Sequence, residues 1–177
     1  MDWDERWRAR GEAALDSPPC ELLTLVDLPG PGRALDVAGG AGRNGAWLAE
    51  RGWHVTVVDA SAEALKIAAR RGLWTEHRDL DLMGLPFGPW DLLVSSDYLQ
   101  RSLFSSFGDL LAVGGLLVFS QPTTVNLERH TRPSERFLLL PGELASLVPS
   151  ELEVLRLDEG WRSNDRHEAW LVARRRA

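Results

Sequence analysis

The 177-residue sequence predicts an α/β fold, a three-layer sandwich with helices on both faces of a seven-stranded, mostly parallel sheet. Strand-like and helical patterns alternate along most of the chain, which is typical of parallel strands joined by helical crossovers. The last two predicted strands are separated only by residues 160–166, a segment too short for a crossover helix. They should therefore pair antiparallel, as a terminal hairpin.

The predicted strands cover residues 33–37, 54–58, 74–78, 90–95, 116–120, 152–158 and 168–174. Helices are predicted over 44–51, 61–71 and 103–112. Ser61 with Glu63 offers chemistry for starting the second helix, and Gly52 follows the first one where it should stop. Trp47, Trp53, Trp74, Trp90 and Trp170 lie within or at the ends of these elements and are expected to fill the core. Residues 1–177 should form one domain, with 1–30 as an N-terminal cap and 31–177 as the core.

A glycine-rich turn between the first two strands is the clearest functional feature. Asp36 is followed by Val-Ala-Gly-Gly-Ala-Gly, and Gly39, Gly40 and Gly42 would let the backbone turn sharply and approach a ligand closely. Asp59 ends the second strand, where a carboxylate can accept hydrogen bonds from both hydroxyls of a ribose. The layout predicts a site for a cofactor that contains a nucleoside.

Two classes of cofactor fit this turn. Gly40, Gly42 and Gly45 match the dinucleotide fingerprint GxGxxG, which would indicate a nicotinamide-dependent oxidoreductase. Asp36, however, would repel a pyrophosphate and suit the ammonium and sulfonium groups of S-adenosylmethionine. The expected terminal hairpin and the lack of a second substrate domain also favour S-adenosylmethionine.

With these motifs, the sequence resembles the class I S-adenosylmethionine-dependent methyltransferases. Residues 36–42 are similar to their first motif, with Ala38 in place of one glycine. Residues 81–87 resemble the motif after the third strand, 90–96 the fourth strand, and 113–120 the turn and fifth strand. Trp3-Asp-Glu-Arg-Trp7 and Gly42-Arg-Asn44 are similar to segments of small bacterial methyltransferases of the tellurite-resistance and thiopurine type. The resemblance implies a Rossmann-like fold and methyl transfer from S-adenosylmethionine.

The resemblance also implies a cofactor site assembled from several segments. Asp81 would bind the adenine amino group, with Asp79 as the competing candidate, while Trp3 and Trp7 would cover the cofactor and Arg6 would reach its carboxylate. The two tryptophans could instead anchor the N-terminus to the core. The candidate cofactor-binding residues are Trp3, Arg6, Trp7, Asp36, Ala38, Gly39, Gly40, Gly42, Asn44, Asp59, Ala60, Asp81, Leu82 and Ser95.

Ala38 gives a reason to consider a protein that binds S-adenosylmethionine without catalysis. If the turn needs a positive φ at that position, alanine costs on the order of 1 kcal/mol or more. Methyl transfer itself asks mainly for alignment of the acceptor behind the methyl carbon. Tyr98 and His130 are the candidate catalytic residues if the acceptor must lose a proton.

The amino-acid composition limits the partners that the protein is expected to bind. The net charge of −6 argues against a general electrostatic grip on nucleic acid. The sequence contains no run of eighteen apolar residues and begins with a polar segment, so we expect a cytoplasmic protein without a membrane span. The single cysteine, Cys20, excludes an internal disulfide framework and a Cys-based metal site, and no metal site is predicted.

The acceptor is expected to be a small molecule, such as an anion or a metalloid oxyanion. Arg101, Arg129, His130 and Arg132 lie in the two loops that follow the fourth and fifth strands, and together they could bind an anionic group. The alternative is that they are solvated surface charges paired with Glu128 and Asp97.

Overall fold

The computed structural model describes residues 2–177, apart from the side chain of Glu12, and contains one seven-stranded sheet in the order β3-β2-β1-β4-β5-β7-β6. The strands are β1 Arg33–Val37, β2 His54–Asp59, β3 Trp74–His77, β4 Trp90–Ser96, β5 Leu111–Pro122, β6 Leu152–Trp161 and β7 His167–Arg175. Every predicted strand is present, and β5, β6 and β7 extend beyond their predicted ends.

Strand β1 is the point at which the sheet topology reverses. It pairs in parallel with β2 on one side and with β4 on the other. Val37, its last residue, lies opposite Val58 and Ser95. The carboxyl ends of the three strands therefore meet at one edge, where open α/β sheets bind ligands.

The predicted terminal hairpin is confirmed. Strand β7 runs antiparallel to both β5 and β6 and lies between them. Residues 162–166 connect the two hairpin strands, and this connection projects near the same edge of the sheet as the ends of β4 and β5, where Asp97 contacts Arg166.

The α-helices are α1 Trp3–Arg10, α2 Glu21–Leu25, α3 Arg43–Ala49, α4 Ala62–Arg70, α5 Leu80–Met83, α6 Phe104–Leu110 and α7 Glu143–Leu147. Ser61 caps α4 as predicted, because its Oγ accepts a hydrogen bond of 3.1 Å from the backbone N of Ala64. The helix predicted over 103–112 is too long. Leu111 takes extended backbone, pairs with Trp90 and begins β5, so α6 ends at Leu110.

Successive residues of the central strands face opposite helical layers, which gives the molecule two apolar cores. Leu35 and Leu93 pack into one core, whereas Ala34 and Leu92 pack into the other. This arrangement confirms the three-layer sandwich. The expectation that Trp74 fills the core is wrong, because it lies on the edge strand β3 and is 78% exposed.

Within residues 2–177, no helix is long and apolar enough to cross a membrane.

Candidate functional site

Asp36 supports the glycine turn from inside the protein. Its carboxylate is fully buried and accepts hydrogen bonds from the backbone N of Gly45 at 3.0 Å and from Asn44 Nδ2 at 3.4 Å. Burial raises the pKa of Asp36 to about 6, against the opposing effect of these hydrogen bonds. A Cβ on Gly39 would lie 2.7 Å from Asp36 Oδ2, so only glycine fits above the carboxylate. The turn therefore encloses the Asp36 carboxylate, and its interaction with a cationic ligand stays a prediction.

The turn uses left-handed backbone at three positions. Gly40 and Gly42 have φ of 56° and 73°, and Ala38 has φ of 49°. An alanine adopts this conformation at a cost on the order of 1 kcal/mol. The positive φ that makes alanine costly is thus present, and the turn forms with alanine in place of glycine.

Helix α1 docks on the glycine turn and on the start of α4. Asp4 Oδ1 accepts hydrogen bonds from Ser61 Oγ at 2.6 Å and from the backbone N of Glu63 at 3.2 Å. The Trp7 ring lies against Gly40, where an added Cβ would come within 2.5 Å of it. Helix α1 therefore lies over the turn, and the role of residues 1–30 as a cap stays a prediction.

The two tryptophans of α1 have different environments. Trp7 is partly buried against Ala14 and Ile67, so it anchors the segment. Trp3 is 43% exposed, and the Arg6 guanidinium lies over its ring, 5.0 Å from the centroid. Contact of Trp3 and Arg6 with a cofactor stays a prediction.

Asp59 faces the turn from the end of β2. Its Oδ2 accepts a hydrogen bond from the backbone N of Gly40, and its Oδ1 accepts one from the backbone N of Ser61, both at 2.8 Å. Burial raises the pKa of Asp59, although these N–H groups oppose the shift. Each carboxylate oxygen keeps a second lone pair for a ribose hydroxyl. Ala60, the next residue, is exposed beside it. The acceptor oxygens of Asp59 therefore fit the ribose of a nucleoside cofactor.

The segment after β3 carries the two candidate acids for adenine. Asp79 uses its Oδ1 to cap α5, accepting a hydrogen bond of 2.9 Å from the backbone N of Asp81. Asp81 is exposed, and the neighbouring Leu82 is 84% exposed. Asp81 and Leu82 are thus accessible to a ligand at this edge of the sheet. Ser95, near the end of β4, is buried, so only its main chain is available to a ligand.

Tyr98 lies near the same acids. Its hydroxyl donates a hydrogen bond to Gln100 Oε1 at 2.5 Å, and Gln100 Nε2 donates to the carbonyl of Leu80 at 3.4 Å. Burial, with smaller contributions from the charges of Asp81, Asp79 and Asp59, raises the pKa of Tyr98 far above its usual value. This environment disfavours Tyr98 as a base and suits it to donating a hydrogen bond.

His130 belongs to a different cluster, on the terminal hairpin. Its Nε2 lies 2.6 Å from the carbonyl of Asp165, and Arg129 Nη1 lies 2.6 Å from Asp165 Oδ1. Arg101 is instead paired with Glu143. Arg101, Arg129 and His130 are therefore divided between acids of two separate segments, which argues against one joint anion site.

Sequence reasoning missed a second polar group at this edge. Arg43, Asp97 and Arg166 form an ion-paired cluster that joins the start of α3, the end of β4 and the hairpin. Arg43 stands inside the Gly42-Arg-Asn44 motif, which was the available signal. Asp97 and Arg166 are far apart in sequence, and nothing local indicates their contact.

The fold and this site define a Rossmann-like, ligand-binding α/β protein of the kind that holds a nucleoside cofactor at β1 and β2. A family described as a methyltransferase domain matches residues 34–115. The trans-aconitate 2-methyltransferase of Methylobacterium nodulans is 29% identical over 188 residues, covering 97% of this chain and 68% of that protein.

Solved structures agree on the fold. A TehB-like S-adenosylmethionine-dependent methyltransferase from Corynebacterium glutamicum superposes with a TM-score of 0.71 at 18% identity, covering 99% of this chain and 97% of that one. TehB from Haemophilus influenzae gives 0.69 at 19% identity, covering 86% of this chain but only 59% of its own length. Together, these findings support a class I S-adenosylmethionine-dependent methyltransferase. The family match and the antiparallel β7 argue against the nicotinamide alternative.

Proposed function

We propose that the protein methylates a small polar acceptor at the site formed by the glycine turn and the loops around it. The observation that carries this proposal is the set of contacts around Gly40. The backbone N of Gly40 donates a hydrogen bond to Asp59 Oδ2, and the Trp7 ring of helix α1 lies against Gly40. When bound, S-adenosylmethionine supplies a methyl group activated by its sulfonium.

The described residues divide the work of binding. Asp59 accepts the ribose hydroxyls through its remaining lone pairs, and Asp81 accepts a hydrogen bond from the adenine amino group. The backbone of the turn and α1 enclose the rest of the cofactor. The residues proposed for binding are Trp3, Arg6, Trp7, Asp36, Ala38, Gly39, Gly40, Gly42, Asn44, Asp59, Ala60, Asp81, Leu82 and Ser95.

The chain accelerates transfer mainly by positioning. A sulfonium is a good leaving group, so holding the acceptor atom in line with the methyl carbon supplies most of the effect. Tyr98 donates a hydrogen bond at the cofactor side, in keeping with its raised pKa. His130 faces the hairpin, so its part in proton transfer depends on an acceptor that reaches that far.

The acceptor is proposed to be a small molecule that carries an acidic group, methylated in the cytoplasm. The name of the Methylobacterium relative, trans-aconitate 2-methyltransferase, describes action on such a molecule, and that protein aligns with 97% of this chain. The Haemophilus neighbour, TehB, keeps tellurite-type oxyanions among the acceptors to be tested.

Calorimetry with S-adenosylmethionine and S-adenosylhomocysteine tests the cofactor site. We expect micromolar binding by the wild type, a loss of at least about 100-fold in Asp59→Ala, and a smaller loss in Asp59→Asn, which keeps one acceptor oxygen. Asp109→Ala, at an exposed position on α6, is the matched control and should bind normally. Binding that is absent in the wild type, or unchanged in Asp59→Ala, would contradict the proposed site.

Formation of S-adenosylhomocysteine then tests the acceptor. Trans-aconitate and other small carboxylates, thiols, tellurite and selenite are the first compounds to compare. Turnover of a large macromolecule with none of these small compounds would contradict the proposed acceptor class.

A further inference from the structure

A polar cleft of about 510 Å³ lies beside the glycine turn, toward the terminal hairpin. Its walls come from the start of α2, the start of α3, the ends of β4 and β5, and the hairpin. The lining residues are polar apart from Pro18, Pro19 and Cys20. A cleft of this volume is large enough for a small molecule.

Two arginines converge on one carboxylate in this cleft. Arg43 Nη2 lies 2.8 Å from Asp97 Oδ2, and Arg166 contacts both oxygens of Asp97. Partial burial opposes ionisation, but the ion pairs with Arg166 and Arg43 hold the pKa of Asp97 below its usual value. Arg43, Arg166 and Asp97 alone would leave one positive charge in excess, which the nearby Glu168 balances, and these contacts hold both guanidinium groups in place.

A buried acid lies next to this cluster. Glu168 is 4% exposed, and its Oε1 lies 3.4 Å from Arg166 Nε. Its Oε2 accepts hydrogen bonds from Trp170 Nε1 at 2.8 Å and Ser120 Oγ at 3.2 Å. Glu21, which accepts a hydrogen bond from Ser163 Oγ at 2.8 Å, adds a second negative group to the lining.

The charges limit what this cleft can bind. Three carboxylates and two guanidinium groups line it, so a ligand with several negative charges would be repelled as well as attracted. A simple amine would find acids but would leave the two arginines without a new partner. A molecule with one carboxylate and one amino group satisfies both kinds of side chain.

We infer that the cleft binds a small amino-acid-like acceptor, with its carboxylate on Arg43 and Arg166 and its amino group toward Glu168. The cleft borders the cofactor turn, because Arg43, which lines it, directly follows Gly42, and Asn44 Nδ2 donates a hydrogen bond to Ser96 Oγ at 3.0 Å. The inference rests on the proposed function, since only methyl transfer makes the bound molecule an acceptor.

Isosteric probes test the required pair of groups. Protein saturated with S-adenosylhomocysteine is titrated with β-alanine, with propionate, which lacks the amino group, and with propylamine, which lacks the carboxylate. The same comparison is made with glycine and with γ-aminobutyrate, each beside the acid that lacks its amino group and the amine that lacks its carboxylate. These two series vary the distance between the two groups. We expect at least one amino acid to bind at least about tenfold more tightly than both of its partners. Equal binding of the carboxylate partner, or no binding in any series, would overturn the inference.

Variants assign that preference to the arginine. Arg166→Gln should remove the preference for the amino acid, and Arg166→Lys, which keeps the charge without the fork, should retain part of it. Arg156→Gln is the control, because Arg156 also pairs with an acid of the hairpin, Asp158, but does not line the cleft. Thermal unfolding identifies a variant that fails to fold. A preference that survives in Arg166→Gln would refute the assignment.

The amino-acid end of the cofactor also carries a carboxylate and an amino group. A second comparison therefore distinguishes a cleft that binds an acceptor from one that binds the cofactor. Methylthioadenosine lacks that end, whereas S-adenosylhomocysteine keeps it. If Arg166→Gln weakens the binding of S-adenosylhomocysteine but not of methylthioadenosine, the cleft holds the amino-acid end of the cofactor. That result would overturn the inference. If the wild type binds neither nucleoside, the proposed function fails, and the amino acid series measured without cofactor still decides the chemistry of the cleft.

Discussion

The two sides of the sheet edge are built differently. On the β1–β2 side, the site consists of a turn, a strand end and backbone N–H groups contributed by residues 36–61, and Asp59 holds Gly40 directly. On the β4–β7 side, the cleft consists of side chains from segments as far apart as Glu21 and Ser163. The first side is fixed by backbone geometry, which tolerates few residue types. The second is fixed by charges that many sequences could place differently.

The largest effect is expected from breaking the backbone side at Gly40. In Gly40→Ala, the new Cβ would come within 2.5 Å of the Trp7 ring, and the residue keeps φ of 56°. We expect a loss of about 2 kcal/mol of stability and at least about tenfold weaker binding of S-adenosylhomocysteine, measured by chemical unfolding and calorimetry.

A double-mutant cycle with Trp7→Ala sharpens this prediction. Removing the ring should relieve the clash, so Gly40→Ala should cost less in that background. Gly30→Ala is the control, because nothing lies within 4 Å of its Cβ position and its φ is not positive. Equal costs in both backgrounds would mean that Trp7 does not rest on Gly40.

The next effect concerns pH and Asp36. Its pKa of about 6 in the folded protein exceeds the ordinary value of 3.8, so the folded state binds the extra proton between these values. Stability from this group therefore rises as pH falls from about 6 toward 4, by up to about 1.4 kcal/mol per pH unit. The raised pKa of Asp59 acts in the same direction.

Urea unfolding of wild type and Asp36→Asn at pH 7 and pH 5 measures this contribution. The gain in stability on acidification should be smaller in the variant. An equal gain in both proteins would show that Asp36 does not titrate in this range.

A smaller effect is expected at Tyr98, which lies between the two sides. Tyr98→Phe removes the hydrogen bond to Gln100, which in turn bonds to Leu80 at the start of α5. We expect the KM for S-adenosylmethionine to rise a few-fold with kcat nearly unchanged. The reason is that the Tyr98 hydroxyl, through Gln100, helps to position α5, which carries the proposed adenine ligand Asp81. A fall in kcat of about 100-fold or more, with a changed pH profile, would instead mark Tyr98 as the base.

The smallest effect is expected at Ala38. Ala38→Gly relieves left-handed strain at φ of 49° but adds freedom to the unfolded chain. The net gain should be at most about 1 kcal/mol, visible as a small rise in Tm, with cofactor affinity unchanged within about twofold. A loss of stability would show that the strain at this residue is negligible.

The same contrast explains what could be predicted from the sequence. The seven strands, the hairpin and the glycine turn follow from local patterns, because each depends on neighbouring residues. The end of α6 does not follow from the local pattern. Leu111 continues the helical pattern in the sequence, but its pairing with Trp90 places it in β5. The Asp97 cluster and the partners of Arg101 and His130 do not follow from local patterns either, because each contact joins segments more than thirty residues apart.

Strand order also sets the order in which translation completes the two sides. Strand β6 pairs only with β7, and β7 inserts between β6 and β5. On the ribosome, β6 therefore emerges with no partner in the sheet, whereas β1, β2 and the glycine turn are already complete. The nascent chain acquires its cofactor turn early, and the polar cleft forms only when Arg166 and Glu168 are added at the start of β7.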